Sequence, residues 1–531
     1  MALKSVFNFA PLNKDVYYPK WADAASQDIP FEDGEDGTIQ FEMTNVSPLF
    51  IRDGKKDDPM PFHIEEKNGD WRFLIPATSI KGMLRSTMEV FAFAKLTQFQ
   101  DRYFGWRDFE KENYKTKVED AECGWMYKEG DKYMLTLCID KFEKIKMQDL
   151  PSTLTPRGRT SYQRNESLGW YPLYEGKRIV CTGQMNGKLH EYLFANYEET
   201  YEPEELPKDV VTKFLTIYEN TPDFDKYLTR LNKGGKVAVF VLLDSYNEVE
   251  LMGLPRQLRL PYKKGVKDLV LDWQSQKDLP DLCETIFGYL SSKSGNKRGR
   301  VQVGFAKTAT IRKETALSKT VSGVLATPKA SYYPLYLQQD PSAHKYLTYD
   351  NAHSIAGRKF YRVREKSVTE RLAFNARNND VNTSFRPLVP GQTFTCKINV
   401  HNLKPVETGA LLSALLLHKT KGAYHNLGLA KGYGYGKMEI HNVRLQGLKK
   451  TVEEYLAAFE KEMNQFLGNG KKWNEKIEVL YLLQILSEHK PSPDLGVMDM
   501  NQREFRNAKR NSSFDTLQES NQVVCPSFLK Q

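Results

Sequence analysis

The chain has 531 residues with a formal net charge of +9, and this length predicts at least two packed units rather than one simple core. Its six cysteines form no C-x-x-C pair, which argues against a zinc site of paired cysteines and against a disulfide scaffold. Because the longest apolar run (237–243) is too short to span a bilayer and the first residues lack a signal-peptide core, we expect a cytoplasmic protein without a membrane partner.

The first half of the chain predicts a strand and then a helix. Residues 37–46, GTIQFEMTNV, alternate apolar and polar side chains, which is typical of a half-buried strand. In residues 75–94, Pro76 interrupts the strand pattern and apolar side chains then recur at helical spacing. We therefore expect a helix here, with Thr78 or Ser79 as its N-cap.

The start of this helix concentrates groups that bind anions. In SIKGMLR (79–85), Ser79 lies where free backbone N–H groups attract negative charge. Lys81 and Arg85 are four residues apart and share a helix face, and Gly82 permits a close approach of another backbone. The pattern predicts a phosphate-binding pocket. The alternative is a capped surface helix with two solvated cations.

Two later stretches concentrate basic residues in a chain of modest net charge. Residues 291–330 hold nine lysines and arginines against one glutamate, a local charge of +8, and residues 357–377 are also rich in arginine and lysine. Localised positive charge favours a polyanionic ligand. We therefore expect Lys297, Arg298 and Arg300 to contact nucleic acid. A solvated basic surface is the alternative.

The second half repeats the order of strand and helix and then adds a glycine-rich loop. Residues 393–400 alternate like a strand, 410–419 form an apolar helix and 437–445 return as a strand. The loop before the last strand has neither the spacing of a phosphate-binding loop nor that of a dinucleotide fingerprint.

We predict that this loop presents backbone without Cβ atoms to the phosphates and sugars of a polymer. A mobile turn is the alternative. The predicted contact residues are Lys431, Gly432, Tyr433, Gly434, Tyr435, Gly436 and Lys437.

These patterns predict an α+β protein with two ferredoxin-like, RRM-like units. The poorly periodic region between them is interpreted as a large insertion, and two apolar helical stripes follow the last strand. The predicted parts are the N-terminal part of the first half (1–110), the insertion (111–280), the basic segment with the second half and its glycine-rich loop (281–445), a C-terminal helical extension (446–490) and a polar, partly disordered tail (491–531).

Two of these stretches resemble signatures of one known family. IPATSIKGMLR (75–85) is similar to the IPGSSLKGxLR signature of the repeat-associated mysterious protein (RAMP) superfamily of CRISPR-associated proteins. LGLAKGYGYGKMEI (427–440) resembles that superfamily's C-terminal glycine-rich loop and strand. Weaker similarities at 286–308 and 398–417 lie between them in the same order.

The resemblance implies a ferredoxin-like core of the RAMP type and a role in RNA-guided defence. The SxKGxxR element is similar to the Cas-seven-like backbone subunits that polymerise along guide RNA, and the large insertion resembles the III-D variety of type III effectors. Implied partners are CRISPR guide RNA, complementary target RNA and other CRISPR-associated effector subunits. The alternatives are a RAMP-family endoribonuclease that processes CRISPR precursor RNA, and a structural interaction subunit without direct RNA contact.

In type III relatives, an aspartate between the first strand and this helix cuts target RNA. The resemblance places Asp53 at that position, with Asp57 and Asp58 behind it. A carboxylate there could accept the proton of an attacking ribose 2′-hydroxyl or hold a divalent metal such as Mg²⁺, and His63 is a further candidate acid or base. An ordinary polar turn is the alternative. No other metal site or cofactor is predicted.

Overall fold

The structure of the chain is a computed structural model that describes residues 6–55, 57–67, 70–107, 112–150, 160–183, 188–219, 221, 223–270, 279–290, 295–311, 316–325, 329–339, 346–367 and 382–488. The chain forms two compact units. The core unit comprises Met1–Phe99 and Val270–Gln531, and the inserted unit comprises Gln100–Leu269. The predicted tail, 491–531, and parts of both basic stretches lie outside the described residues.

The described strands, numbered along the whole chain, are β1 Phe7–Ala10, β2 Glu35–Asn45, β3 Ile64–Lys67, β4 Asp70–Ile75, β5 Gly105–Trp106, β6 Glu122–Glu129, β7 Lys132–Leu137, β8 Glu143–Lys146, β9 Leu173–Tyr174, β10 Lys177–Val180, β11 His190–Phe194, β12 Glu204–Glu205, β13 Val237–Leu243, β14 Val249–Gly253, β15 Leu260–Pro261, β16 Gly288–Tyr289, β17 Lys297–Arg298, β18 Val301–Val303, β19 Ala306–Thr308, β20 Val321–Val324, β21 Arg358–Tyr361, β22 Asn382–Phe385, β23 Thr393–Leu403, β24 His425–Asn426 and β25 Lys437–Gln446.

The described α-helices, numbered in the same way, are α1 Ala77–Phe91, α2 Glu112–Glu119, α3 Ser161–Ser167, α4 Lys208–Tyr218, α5 Phe224–Asn232, α6 Leu282–Phe287, α7 Tyr333–Tyr336, α8 Pro405–Leu416, α9 Val452–Leu467 and α10 Ile477–Leu486.

An eight-stranded antiparallel sheet organises the core unit. Its order is β24-β25-β2-β23-β19-β4-β3, and β18 also pairs with β23. The long strands β2 and β23 lie at its centre, and side chains of alternating positions such as Ile39 and Phe41 are fully buried. The alternation of apolar and polar residues therefore predicted these strands correctly. The structure confirms the predictions at 37–46, 393–400 and 437–445 as β2, β23 and β25.

The sheet contains one β-α-β-β-α-β unit that is spread over the whole core unit. The elements follow the chain as β2, α1, β18 with β19, β23, α8 and β25, and the strands lie in the order β25-β2-β23-β18/β19. This is the ferredoxin-like arrangement. The structure does not confirm two such units. The first predicted half contributes β2 and α1 and the second contributes β23 and α8, but β2 pairs directly with β23, so both halves belong to one unit with one sheet.

Helix α1 buries one face on the core through Ile80, Leu84, Met88 and Phe91. Its N-cap position is Pro76, and no side chain caps the helix. The predicted cap by Thr78 or Ser79 is therefore wrong, because the helix begins at Ala77 and includes both residues in its first turn. Proline suits this position because its fixed φ matches the helix and its missing N–H costs nothing there.

Helix α8 begins at Pro405, five residues before the predicted start at 410. Residues 407–415 are all buried, so the helix is enclosed on every side rather than amphipathic. Proline at the first helical position accounts for the earlier start.

The two helices predicted after the last strand are α9 and α10. A capping box of Thr451 and Glu454 starts α9. Between the helices lies Trp473, which is fully buried and donates its indole N–H to the carbonyl oxygen of Phe91 at 2.6 Å. This bond joins the C-terminal helices to the end of α1, so they are part of the core unit.

The inserted unit contains a five-stranded sheet, β12-β7-β6-β13-β14, and a four-stranded sheet, β8-β11-β10-β9. The apolar run noted in the sequence is β13, whose side chains are almost all buried. The sequence placed the insertion at 111–280, whereas this unit spans 100–269. Its N-terminal edge is earlier because β5 pairs with β15 inside the same unit.

Within the described part of the chain, none of the helices has both the length and the apolar character that crossing a membrane requires.

Candidate nucleic-acid interface

A groove of about 550 Å³ lies in the core unit beside the N-terminal half of α1. Four segments supply most of its wall: residues 50–52, α1, β21 and residues 425–431. It therefore joins the SIKG helix with the start of the glycine-rich loop, the two stretches that the sequence analysis singled out independently. We call it the core groove.

One face of α1 forms a wall of the core groove. Ser79, Gly82, Met83 and Ser86 line it, and their spacing of three and four residues places them on the same side of the helix. At Gly82, apart from the backbone of its own helix, no atom of the described residues lies within 4 Å of the place a Cβ would occupy, so the backbone faces open space there. Two predicted contact residues, Ser79 and Gly82, are thus at the groove.

The two predicted cations of this helix are engaged elsewhere. Lys81 directs its Nζ to the carbonyl oxygen of Phe287 at 3.4 Å, and burial followed by the nearby charge of Arg85 lowers its pKa. Arg85 donates to Glu89 at 3.0 Å, and Glu89 also accepts from Arg358 at 2.6 Å. The predicted pairing of Lys81 and Arg85 in one phosphate pocket is not formed, because they belong to intramolecular contacts away from the groove lining.

Three other cations line the core groove: Arg52, Lys359 and Lys431. Lys431 donates from Nζ to the carbonyl oxygen of Gly428 at 2.8 Å, and Lys359 donates to the hydroxyl of Tyr336 at 2.9 Å. Burial and the like charge of Lys431 lower the pKa of Lys359 to about 8, and burial also lowers the pKa of Lys431. Their placement creates positive charge in a partly desolvated site.

Aromatic and polar groups complete the lining. Phe360 and Tyr361 on β21 present rings at half-buried positions, and the amide of Asn426 donates to the carbonyl oxygen of Tyr361 at 3.0 Å. His425 also borders the groove, but it is buried, with its Nε2 2.9 Å from the carbonyl oxygen of Leu415, and burial lowers its pKa to about 4. A neutral, enclosed His425 supports the wall rather than offering charge.

The glycines of the predicted loop approach the chain's own backbone. Gly434 and Gly436 have left-handed φ values of +82° and +77°. A Cβ on Gly436 would collide with the carbonyl oxygen of Leu427, and one on Gly434 would lie 3.1 Å from the carbonyl oxygen of Lys366. Internal packing therefore accounts for these two glycines, and their contact with a polymer stays a prediction.

The neighbouring predicted contacts are buried as well. A Cβ on Gly432 would lie 3.2 Å from the side chain of Val6, and Tyr433 and Tyr435 are 3% and 1% exposed. Lys437 is 4% exposed and its ammonium donates to Glu488 at 2.5 Å. Of the seven predicted loop residues, Lys431 alone is among those that line the core groove.

Backbone hydrogen bonds fix this loop in place. Leu429 donates to the carbonyl oxygen of Phe50 at 3.0 Å, and Gly436 donates to that of Pro48 at 2.8 Å. The alternative of a mobile turn is therefore not favoured. The loop positions Lys431 against residues 50–52 and so shapes the groove indirectly.

The three predicted contact residues of the basic stretch 291–330 lie in different environments. Arg300 is buried and forms an ion pair with Glu407, so it belongs to the core and not to a nucleic-acid surface. Lys297 donates from Nζ to the carbonyl oxygens of Asp23 and Ala25, each at 3.2 Å. Arg298 is exposed. None of the three is among the residues described as lining the core groove.

The candidate catalytic loop begins beside the core groove. Arg52 lines the groove, whereas the next side chain, Asp53, accepts from the backbone N–H of Lys55 at 2.8 Å and so closes a turn. Asp57 and Asp58 are exposed. In the described residues no group of three or more His, Cys, Asp or Glu side chains could hold a metal ion, so the described protein side chains do not form an Mg²⁺ site by themselves.

Sequence reasoning missed Lys359 as a groove residue. It lies in the second basic stretch, 357–377, in the segment RKFYRVR, where cations alternate with aromatic side chains. That interleaving was a usable signal. What the sequence does not show is the pairing of β21 with β1, which sets the position of the strand.

Comparison with known proteins gives one family. A sequence model of the RAMP superfamily matches residues 42–439. Among solved structures, the chain is similar to a chain of a "CRISPR RNA-guided surveillance complex, pre-nicking", with a TM-score of 0.24, 11% identity, and coverage of 86% of this chain and 97% of the other. It is also similar to Csc2 of Thermofilum pendens, with a TM-score of 0.25, 11% identity, and coverage of 88% and 90%. No curated protein matches the chain.

Proposed function

The chain belongs to the RAMP superfamily, and on that premise we propose that it is a guide-RNA-binding backbone subunit of a type III CRISPR effector complex. The observation that carries the proposal is the charge of the core groove. Arg52, Lys359 and Lys431 line it, and among its described lining residues there is no Asp or Glu. A groove with cations on several sides and no carboxylate favours an anionic polymer.

The lining also offers the other groups that a single RNA strand uses. Cations contact phosphates, while the rings of Phe360 and Tyr361 are suited to stacking against bases. The hydroxyls of Ser79 and Ser86 can donate to phosphate or ribose oxygens, and the bare backbone at Gly82 allows the strand to lie close to α1. Such contacts bind RNA without selecting a base sequence, as a guide-coating subunit requires.

The size of the groove implies partners. A volume of about 550 Å³ is that of a small-molecule pocket, so it holds only a short part of a strand. A longer guide RNA then requires neighbouring subunits, either further copies of this chain or other CRISPR-associated effector subunits.

The test is RNA binding by the purified full chain, measured as fluorescence anisotropy of a labelled single-stranded RNA at several salt concentrations. We expect Lys359→Gln with Lys431→Gln to weaken binding for all sequences and to reduce the slope of log affinity against log salt by about 1.4, or about 0.7 for each lost phosphate contact. Thermal unfolding of the same variant checks that it is folded.

Arg85→Gln is the matched control, since Arg85 is a cation of α1 held by Glu89 and not part of the groove lining. It should change stability and leave the salt slope unaltered. If the Arg85 variant loses RNA while the double lysine variant keeps it, RNA lies elsewhere. If neither wild type nor variants bind any RNA, the chain is a structural subunit only.

Cleavage of target RNA is the second part of the proposal, and it depends on Asp53. The chemistry is attack of a ribose 2′-oxygen on the adjacent phosphorus with departure of the 5′-oxygen, and a carboxylate would accept the 2′-hydroxyl proton. The position of Asp53 directly after the groove residue Arg52 supports this role. Because the described side chains form no metal cluster, we assign no step to Mg²⁺.

A further inference from the structure

The inserted unit contains a cavity of its own, of about 630 Å³. Four basic side chains line it: Arg107, Lys144, Lys188 and Arg259. Asp223 is the only carboxylate among the lining residues that the structure describes. The cavity is therefore strongly positive, although it lies in a part of the chain to which the sequence analysis assigned no ligand.

Two of these cations, Arg107 and Arg259, are near enough for the charge of Arg107 to act on Arg259. Arg259 donates from Nη1 to the carbonyl oxygen of Ile217 at 3.2 Å, and its guanidinium lies 5.5 Å from the ring centroid of Tyr218. Burial lowers the pKa of Arg259, and the charge of Arg107 lowers it further. Two guanidinium groups so placed repel each other, and an anion between them would remove that cost and accept from both.

Hydrogen bonds and ion pairs fix another part of the cavity lining. Lys188 donates to the carbonyl oxygen of Thr182 at 2.7 Å and to the carboxylate of Glu191 at 2.7 Å, and Glu191 also pairs with buried Arg164. This network fixes Thr182 and Lys188, but the charge of Lys188 is neutralised by its ion pair with Glu191. The cations left to attract a ligand are therefore Arg107, Arg259 and the exposed Lys144.

The cavity is larger than a phosphate ion needs and includes the rings of Tyr192, Tyr218 and Tyr227. Aromatic side chains beside a cation pair suit a ligand that has both a phosphate and a planar base. We propose that this cavity binds a nucleotide, with its phosphate between Arg107 and Arg259. The nucleotide is either free or the end of an RNA strand.

The test uses the full chain carrying Lys359→Gln and Lys431→Gln, so that the core groove contributes little. Isothermal titration calorimetry is run with inorganic phosphate, adenosine 5′-monophosphate and a short single-stranded RNA. We expect the monophosphate or the RNA to bind more tightly than inorganic phosphate, and Arg107→Gln to weaken that binding about tenfold, the effect of one hydrogen bond to a charged group. Binding of the monophosphate indicates a free nucleotide, and binding of RNA alone indicates a strand.

Arg107 is exposed, so Arg107→Gln should leave the melting temperature unchanged. This keeps the test valid if the double variant Arg107→Gln with Arg259→Gln fails to fold. Lys132→Gln, an exposed lysine of the same unit paired with Glu205, is the matched control and should not alter binding. Equal binding by wild type and Arg107→Gln, no binding of either nucleotide probe, or phosphate binding as tightly as both, would overturn the proposal without affecting the RNA role of the core groove.

Discussion

Lys359 and Lys431 place their ammonium groups near the same aromatic ring, with Nζ atoms 5.5 and 5.2 Å from the centroid of Tyr361. They come from distant parts of the chain, one from β21 and one from the loop before β25. Each lies near enough to the other for its charge to matter, since Lys431 helps to lower the pKa of Lys359. This pair is the centre of the positive charge in the core groove.

The lowered pKa predicts an unusual pH dependence of RNA binding. Lys359 has a pKa of about 8 instead of 10.5, so it is charged at pH 7 and mostly neutral at pH 9. Affinity for single-stranded RNA should therefore fall by up to about tenfold from pH 7 to pH 9, the value of one charge-assisted contact. Anisotropy titrations at constant ionic strength measure this.

Lys359→Arg is the control, because a guanidinium stays protonated throughout this range and should remove the pH dependence. The same lysine has the opposite effect on the stability of the free protein. Between pH 8 and 10.5 the unfolded chain binds more protons at this residue than the folded one, so its contribution to the free energy of unfolding rises with pH. An affinity that is flat from pH 7 to 9 would contradict a role for Lys359 in phosphate binding.

Glycines with different surroundings predict opposite effects of substitution. Gly436→Ala forces a side chain into a left-handed backbone and against the carbonyl oxygen of Leu427, so it should lower the free energy of unfolding by about 2 to 4 kcal/mol. Gly82→Ala has open space and should raise it by about 1 kcal/mol, since alanine favours a helix interior. Chemical denaturation of both variants decides this.

A substitution of Gly82 also tests whether RNA binds in the core groove. Gly82→Leu should remain folded but reduce RNA affinity, because the added side chain projects from the wall formed by α1. Gly436→Ala acts on folding, and its remaining folded fraction should bind RNA as wild type does. Full affinity in a folded Gly82→Leu variant would mean that RNA does not lie against α1.

The different roles of these glycines show where sequence reasoning stops. Periodicity identified β2, α1, β23 and α8 because burial of one face repeats along each element. A glycine cluster indicates only that some backbone must come close. At Gly436 the approaching group is a carbonyl of the same chain, and the letters GYGYG are the same whether the neighbour is RNA or protein.

The direction of a charged side chain is likewise set by packing that the sequence does not show. Lys81 and Arg85 share a face at i and i+4, as predicted, but their contacts are with Phe287 and with Glu89 of the same helix. The face of α1 toward the groove is instead the one with Ser79 and Gly82. Which stripe lines a site depends on the crossing of elements that are hundreds of residues apart.

Arg300 illustrates the same limit and predicts a stability effect instead of a binding effect. Its guanidinium pairs with Glu407 in the core, and the same carboxylate accepts from Trp21 and Thr285. Arg300→Met leaves Glu407 buried without its charge partner, so it should cost about 3 to 5 kcal/mol of stability. Thermal and chemical unfolding measure the loss.

Arg298 is the control from the same stretch, because it is exposed. Arg298→Gln should change stability by no more than about 0.5 kcal/mol. The pair Arg300→Met and Glu407→Leu together should cost less than the sum of the separate changes, since no uncompensated charge remains. An Arg300→Met variant of normal stability with impaired RNA binding would restore the surface role that the sequence suggested.

Asp53 permits a substitution that separates its two roles, the turn and the proposed chemistry. Asn at this position retains an oxygen that can accept from the N–H of Lys55, so Asp53→Asn should keep the melting temperature and RNA affinity of wild type. If the carboxylate takes a proton during cleavage, the rate for target RNA should fall by at least about 100-fold in Asn and Ala variants alike.

Asp57→Asn and Asp58→Asn, at exposed positions behind it, serve as controls and should cut normally. If Asp53→Asn retains cleavage and Asp53→Ala loses it, the residue serves the turn alone. If an assembled wild-type complex leaves target RNA intact, this chain is an RNA-binding subunit without nuclease activity.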